Sequence, residues 1–359
     1  MRILILYTYN KGYLSSFFFE LSKMLAANGH EIVNFALKGE KKEFERSGVS
    51  VIIDKKGGYL NNYQKIYKVI KRVKPQVVLS NFSYVNPALM MGRWFGVKKN
   101  MVWFHSLNDQ MNPSVLDIFI KKQFLKLADI LIANSLLTQE ELYSIYKVPR
   151  TKLKALPFWS NISEHLSSGP ERSFDAEFKG LKIGCPGRMV NHKNQAVVIR
   201  ALGKLKKEFG YDFRLFFAGD GEDMALLQQL TEQLDLNKNV AFLKHLSAND
   251  MIAFYKSMDL IILPSLHEAF GLVFIEAISM GTPVLVSTQF GALSFIDNDQ
   301  FDTSEFTFDP KSSQALQEQL KSYFMDGKSE HRKRYFENLY LKNFDKEIIF
   351  SAFEDILKA

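Results

Sequence analysis

Two glutamates stand eight residues apart in the stretch SLHEAFGLVFIEAISMG at 265–281: Glu268 and Glu276, with Phe270, Gly271 and Leu272 between them. Ionised carboxylates accept well from pairs of hydroxyl groups, and such charge-assisted bonds are about twice as strong as neutral ones. If both lay on one helix, eight residues would set them about 12 Å apart, enough for each to hold one end of an extended ligand. The apolar run LIIL at 260–263 precedes them, Pro264 closes it, and helical spacing begins at Gly271. That order predicts a buried strand, a loop and a helix. A helix starting there turns unpaired N–H groups and the positive end of its dipole toward the strand's carboxyl end. An anion, most often a phosphate, belongs in such a place.

Other residues that could do chemistry are scattered. Arg188 and Lys193 in CPGRMVNHKN flank the predicted start of a helix, and by type alone both are ordinary surface cations. His105 closes the run MVWFH at the carboxyl end of a predicted strand, where a lone histidine is more often structural than catalytic. Gly12 follows the first strand and suits either a plain turn or a close approach of backbone to phosphate. Asp297-Asn298-Asp299 spells D-x-D, but it falls late in a loop, and with no His/Cys cluster at ligand spacing no metal is expected.

The elements that must position these residues alternate. RILILY, EIVNFAL, SVIID, QVVLSN, MVWFH and ILIANS are short apolar runs separated by amphipathic stretches of helical length, and the same rhythm restarts at LKIGCPG and runs through FRLFFAG, NVAFLK, LIIL and PVLVS. Such alternation predicts βα units and parallel, doubly wound sheets. Residues 157–179, rich in Ser, Glu and Gly, read as a linker, and the tail from Ser312 reads as helices only. The expected architecture is therefore α/β: two Rossmann-like domains facing a central crevice, 1–165 and 166–340, with a helix at 341–359 returning toward the first.

Composition narrows the setting. One cysteine, Cys185, excludes an internal disulfide, and MRILILY is too short an apolar run for a leader, so a reducing cytosol is expected. Residues 1–160 hold 24 Lys+Arg against 11 Asp+Glu, and the remainder 22 against 28. A basic first half points to an anionic partner. Lys65, Lys68 and Arg72 recur at helical spacing beside Tyr59, Tyr63 and Tyr67, and Lys121, Lys122 and Lys126 share a helix with Ile118, Phe119 and Leu125. These are either solvated helix faces or a peripheral surface for anionic lipid. Nucleic acid is not expected, because no recognition module accompanies the charge.

HEAFGLVFIEAISMGTPV resembles the E-x7-E signature of retaining glycosyltransferases of the GT-B fold, glycosyltransferase family 4. The resemblance also takes in CPGRMVNHKN at 185–194, LFFAGDGE at 215–222, NVAFLK at 239–244, NGHEI at 28–32, KPQVVLS at 74–80 and ADILIANS at 128–135. It implies a sugar transfer with retention of configuration from a nucleotide-sugar co-substrate, UDP- or GDP-linked, with no other cofactor, to a glycan or lipid-linked glycan in cell-surface polysaccharide or glycoconjugate synthesis. It implies that Arg188 and Lys193 absorb the charge of the departing diphosphate, where a guanidinium fork and a mobile ammonium both serve. It gives Glu276 the ribose and Glu268 and His105 the donor sugar. The backbone of Phe270, Gly271 and Leu272 would contact sugar and phosphate, Gly12 the phosphates, and Leu243 and Lys244 the base. The expected location is cytoplasmic, against the inner face of the membrane.

The chain departs from the family's pattern in places. Phe290-Gly291-Ala292-Leu293-Ser294 stands where G-G-x-P-E is usual, Phe158-Trp159-Ser160-Asn161 replaces an N-G-x-D turn, and the loop Tyr9–Tyr13 lacks paired glycines. Two other readings share the scaffold. One is a nucleotide-sugar epimerase or hydrolase, and the other a non-catalytic subunit that binds glycan.

Overall fold

The computed structural model describes residues 1–10, 12–107, 113–162, 174–326 and 329–359. It forms two compact units, Met1–Phe158 with Glu347–Ala359, and Trp159–Lys346. The chain passes between them at Phe158–Trp159 and again at Lys346–Glu347. The junction expected at 165–166 lies outside the described residues.

In the first unit, β1 (Arg2–Leu6), β2 (Glu31–Ala36), β3 (Lys42–Arg46), β4 (Val49–Ile53), β5 (Val77–Ser80), β6 (Lys99–Phe104), β7 (Ile130–Ala133) and β8 (Leu153–Ala155) form one sheet in the order β3-β4-β2-β1-β5-β6-β7-β8. Helices α1 (Tyr13–Ala27), α2 (Tyr59–Val73), α3 (Val85–Trp94), α4 (Val115–Leu125) and α5 (Leu136–Ser144) connect the strands. The run RILIL becomes a central strand paired in parallel on both sides, with Ile3 to Leu6 buried. A parallel strand covered on both faces needs such a continuous apolar run. The exception is β3, KEFER, which pairs antiparallel with β4 at the sheet edge and leaves its charged residues exposed. Its charges discourage further strand pairing there. They also leave no apolar pattern to predict it by.

The second unit holds β9 (Leu181–Pro186), β10 (Phe213–Ala218), β11 (Val240–Phe242), β12 (Leu260–Leu263), β13 (Val284–Ser287) and β14 (Thr307–Phe308) in the order β11-β10-β9-β12-β13-β14, every pairing parallel. Its helices are α6 (Gln195–Phe209), α7 (Met224–Gln233), α8 (Ala248–Ser257), α9 (Leu272–Ser279), α10 (Ser313–Asp326) and α11 (Glu330–Asn343). Strand order reverses between β9 and β12 in this unit and between β1 and β5 in the other. In doubly wound sheets the crevice at the carboxyl ends of the strands flanking such a reversal is where ligands bind.

The last helix, α12 (Lys346–Lys358), packs on the first unit. Phe353 stacks on Trp103 with ring centroids 5.7 Å apart, Lys99 donates to the Leu357 carbonyl at 2.8 Å, and Asn28 donates to Glu354 at 2.9 Å.

The linker expected over 157–179 is corrected at its start. Residues Phe158 to Ile162 are buried, and Phe158 stacks on Trp103 at 5.5 Å and meets Phe17 edge-on at 4.6 Å. Aromatic packing of this kind anchors a segment despite its turn-forming composition. Residues 163–173 lie outside the described residues. Among the described residues, no helix is long and apolar enough to cross a membrane.

Candidate functional site

In the second unit the loops after β9 and β12 are stitched together. Leu266 N–H donates to the His192 carbonyl at 2.8 Å, and the Asn194 side chain donates to the carbonyls of Pro264 and Pro310 at 3.2 and 2.8 Å. This brings Lys193 against Glu268, the ammonium Nζ paired with carboxylate Oε2, both side chains at most one-fifth exposed. Residues 75 positions apart in sequence thus form one charged pair. Arg188 lies in the turn after β9, near enough that it, Lys193 and Glu268 all act electrostatically on His192; its side chain is exposed and its carbonyl is held by the Gln195 amide at 2.9 Å.

Gly271 opens α9 with φ +100°, in the left-handed region. A Cβ there would stand 2.2 Å from the Phe290 ring and 3.4 Å from Glu268 Cγ. Glycine is required because the loop lies flat against Phe290. The loop is also sewn to the 289–292 segment: Glu268 N–H donates to Gln289, Gly291 N–H to Glu268 and Ala292 N–H to Phe270, at 3.1, 3.0 and 2.9 Å. Phe270 is buried by this and Leu272 begins the helix. The helix starts at Leu272, so Glu268 lies in the loop before it and Glu276 in its second turn, as the strand, loop and helix order predicts. The roughly 12 Å spanned by eight helical residues does not apply to a pair of which only one is helical.

Glu276 is half-buried in α9 and accepts a hydrogen bond from the Tyr255 hydroxyl at 2.8 Å. Burial pushes its carboxyl up to about 7, and the Tyr255 bond pulls the other way. The folded state therefore keeps a proton that the unfolded state gives up near 4.5, so the stability this group contributes is fully present below about 4.5 and is lost as pH rises through 7. The swing is about 3 kcal/mol. Chemical denaturation between pH 5 and 8 is expected to show it, and Glu276→Gln is expected to flatten that slope. A wild-type slope unchanged in the variant would contradict the assignment.

Two further glycines, which sequence reasoning passed over, fix the Arg188 turn. A Cβ on Gly219 would fall 2.1 Å from the Gly187 carbonyl oxygen and one on Gly221 2.2 Å from that of Met189. Both glycines lie in the quoted run LFFAGDGE, and backbone-to-backbone contact is the reason they are needed. Gly219 N–H also donates to the Lys244 carbonyl at 2.8 Å, while Leu243 N–H pairs with Phe217, so 243–244 close on the same group of loops. Asp297 spends its carboxylate on Asp299 N–H at 3.0 Å and the Gln300 amide at 2.6 Å.

In the first unit, Gly12 and His105 line one cavity of about 970 Å³ at the carboxyl ends of β1 and β6. Gly12 caps α1 with φ −80°, and a Cβ would meet only the Asn10 side chain, which already accepts the Gly12 N–H at 2.8 Å. Neither its conformation nor its surroundings demand glycine. The His105 Nε2 is buried with no hydrogen-bond partner among the described residues, and burial pushes the ring down to about 4, with Lys121 adding to the effect. It is a neutral imidazole at pH 7. Phe82, edge-on to it at 4.0 Å, has φ +52°, an uncommon conformation for a bulky residue.

The basic helices divide. Lys65 pairs with Asp54 at 3.1 Å and Arg72 with Glu43, so α2 spends part of its charge within the unit. Lys121 turns inward, its Nζ 4.3 Å from the Phe104 ring centroid, and lines the His105 cavity instead of joining a surface patch. Leu125 is the buried residue of α4, whereas Val115, Leu116 and Phe119 are more than half exposed.

Two family models match the chain in succession: Glycosyltransferase Family 4 over residues 14–158 and Glycosyl transferases group 1 over 172–341. An uncharacterized glycosyltransferase of Methanocaldococcus jannaschii is 30% identical over 168 residues, 45% of this chain and 43% of its own length. The D-inositol 3-phosphate glycosyltransferase of Corynebacterium jeikeium is 27% identical over 185 residues, 48% of this chain and 44% of its own length. In both, the chain spans less than half of the relative. Among solved structures, Anabaena HepE in complex with UDP superposes over 100% of both chains with a TM-score of 0.79 at 15% identity. A glycosyltransferase of Rickettsia africae does so over 99% of this chain and 97% of its own, at 0.76 and 18%. These likenesses show the fold, two doubly wound α/β domains of the GT-B type. With one family model on each half, in that order, the chain belongs to the group 1 glycosyltransferases of family 4.

Proposed function

We propose that the protein is a retaining, metal-independent glycosyltransferase that moves a sugar from a nucleotide-sugar, UDP- or GDP-linked, to a glycan or lipid-linked glycan acceptor. The observation that carries this reading is the Lys193–Glu268 pair beside Arg188, set where strand order reverses in the second unit and next to the N-terminus of α9. In the transfer the bond from the anomeric carbon to the diphosphate oxygen breaks, and one to the acceptor oxygen forms on the same face. The acceptor's proton leaves with the diphosphate. Arg188, Lys193 and the N–H groups opening α9 stabilise the negative charge that develops on the leaving group. Glu276 accepts from ribose hydroxyls and Glu268 from those of the donor sugar, while Leu243 and Lys244 present backbone to the base. The HepE structures, described as complexes with UDP and with UDP and glucose, favour a UDP-linked donor.

The first unit serves the acceptor. Its α4 carries exposed Val115, Leu116 and Phe119 along with Lys122 and Lys126, a combination suited to an anionic lipid interface in the synthesis of cell-surface glycans.

A thermal-shift panel of UDP- and GDP-sugars, followed by NMR of the product, tests the reading. One donor is expected to raise the melting point, and the product is expected to keep the donor's anomeric configuration in the presence of a chelator. No stabilisation by any nucleotide-sugar would overturn the donor assignment, and an inverted product the mechanism. Pelleting with vesicles that is indifferent to anionic lipid content would remove the membrane surface.

A further inference from the structure

Lys121 does not behave as a surface lysine. It lies on α4, yet its ammonium is set over the rings of Phe104 and Tyr146, 4.3 and 5.6 Å from their centroids, and it lines the 970 Å³ cavity of the first unit. Burial pushes it down to about 8, against an upward pull from Glu141. The aromatic faces offset part of the cost of placing a positive charge there, but a ring quadrupole does not neutralise it. Lys38 reaches the same cavity from the other side of the sheet's reversal point.

Among the described residues that line the cavity, none answers that charge, and Glu141, which pulls on the ammonium, lies outside the lining. Asp117 is the acidic side chain on its wall among the described residues, and its carboxylate is committed to the Ser114 N–H and hydroxyl at 3.1 and 2.6 Å, in the box that caps α4. His105 is neutral and offers Nε2 without a partner among the described residues. Phe82, held in the left-handed region and 45% exposed, supplies an aromatic face beside it. Strained backbone conformations of this kind persist where the surroundings enforce them and cluster at binding sites.

We infer that this cavity takes an acceptor that carries an anionic group, phosphate or carboxylate, seated on Lys121, with its hydroxyl-bearing ring against Phe82 and His105. The inference rests on the reading of the first unit as the acceptor side. It adds the chemical class of the acceptor. A lysine, unlike an arginine fork, accepts either anion because it acts as a compact point charge with rotatable donors.

Glucose, glucose 6-phosphate and glucuronate are the probes, titrated calorimetrically into the full chain at pH 7. The two anions are expected to bind about tenfold more tightly than glucose, and Lys121→Met, which keeps the packing against Phe104 and Tyr146, is expected to bring all three within about twofold. Equal binding of the three to the wild type, or an anion preference that survives in Lys121→Met, would overturn the inference. A measurement on the wild type alone guards against a variant that fails to fold. Acetylation of Lys121, followed by mass spectrometry, is expected to slow severalfold with glucose 6-phosphate and not with glucose; an unchanged rate would also overturn the inference. UDP titrated into the same samples reports separately on the second unit, so failure of the donor reading leaves a different trace from failure of this one.

Discussion

Replacing Arg188 and Lys193 together by alanine is expected to lower turnover by about 10³-fold or more, while the fold survives. A single donor aimed at developing negative charge is worth about 10²- to 10³-fold in rate, and two that act on one leaving group do not simply multiply. The costs to stability differ between them. Arg188 is exposed, so its removal leaves the denaturation midpoint nearly in place. Lys193→Ala strips the partner from Glu268, whose side chain is 16% exposed, and a partly buried carboxylate left unpaired costs about 1–3 kcal/mol. Adding Glu268→Gln to Lys193→Ala is therefore expected to recover stability without recovering rate. A merely twofold loss of turnover in the double alanine variant would sink the assignment of the two cations.

Gly271→Ala is the second large effect, and here fold and site fail together. An L-residue at φ +100° carries backbone strain, and the new methyl would meet Phe290 at 2.2 Å. Left-handed strain of about 1–2 kcal/mol and overpacking of about 1–3 kcal/mol give an expected loss of roughly 2–5 kcal/mol. The loop from Glu268 to Gly271 is sewn to 289–292, so a displaced Phe290 would drag Glu268 off Lys193. The companion substitution Phe290→Ala separates the two costs. In that background Gly271→Ala is expected to lose only the backbone part, and an undiminished loss would show that the Phe290 contact is not the cause. Urea denaturation of the wild type and the three variants measures the cycle.

Much of the fold was legible because buried parallel strands must be apolar throughout. LKIGCP, LIIL and VLVS stand out for that reason, and the amphipathic stretches between such runs are the helices. The strands missed, β3, β8 and β14, are charged or only two to five residues long. The misreading of Phe158–Ile162 has a different origin. Its Ser and Asn are those of a turn, while the rings that pack on Phe158, Phe17 and Trp103, are 55 or more positions away in sequence.

At the candidate site, Glu268, Glu276, Arg188 and Lys193 were picked out through their motifs, but the closing of Lys193 onto Glu268 across 75 positions was not legible in the spacing. Lys121 shows the limit of periodicity. Its neighbours at helical spacing describe a stripe of cations, but the rotation of α4 about its axis decides which of them faces inward, and that depends on packing against β6 and α5. The same holds for Gly219 and Gly221, whose need for a bare Cα exists only once the Gly187–Met189 backbone lies across them.

The return of α12 to the first unit has a consequence for how the protein is made. The apolar residues Ile349, Phe350, Phe353 and Leu357 cover the sheet next to Trp103, yet they leave the ribosome only after the whole of the second unit. Until then the N-terminal sheet waits with that face open, while the second unit is contiguous and free to fold first. Nascent chains released before residue 346 would expose a sticky surface, so the order of synthesis makes the first part of this protein to emerge the last to be finished.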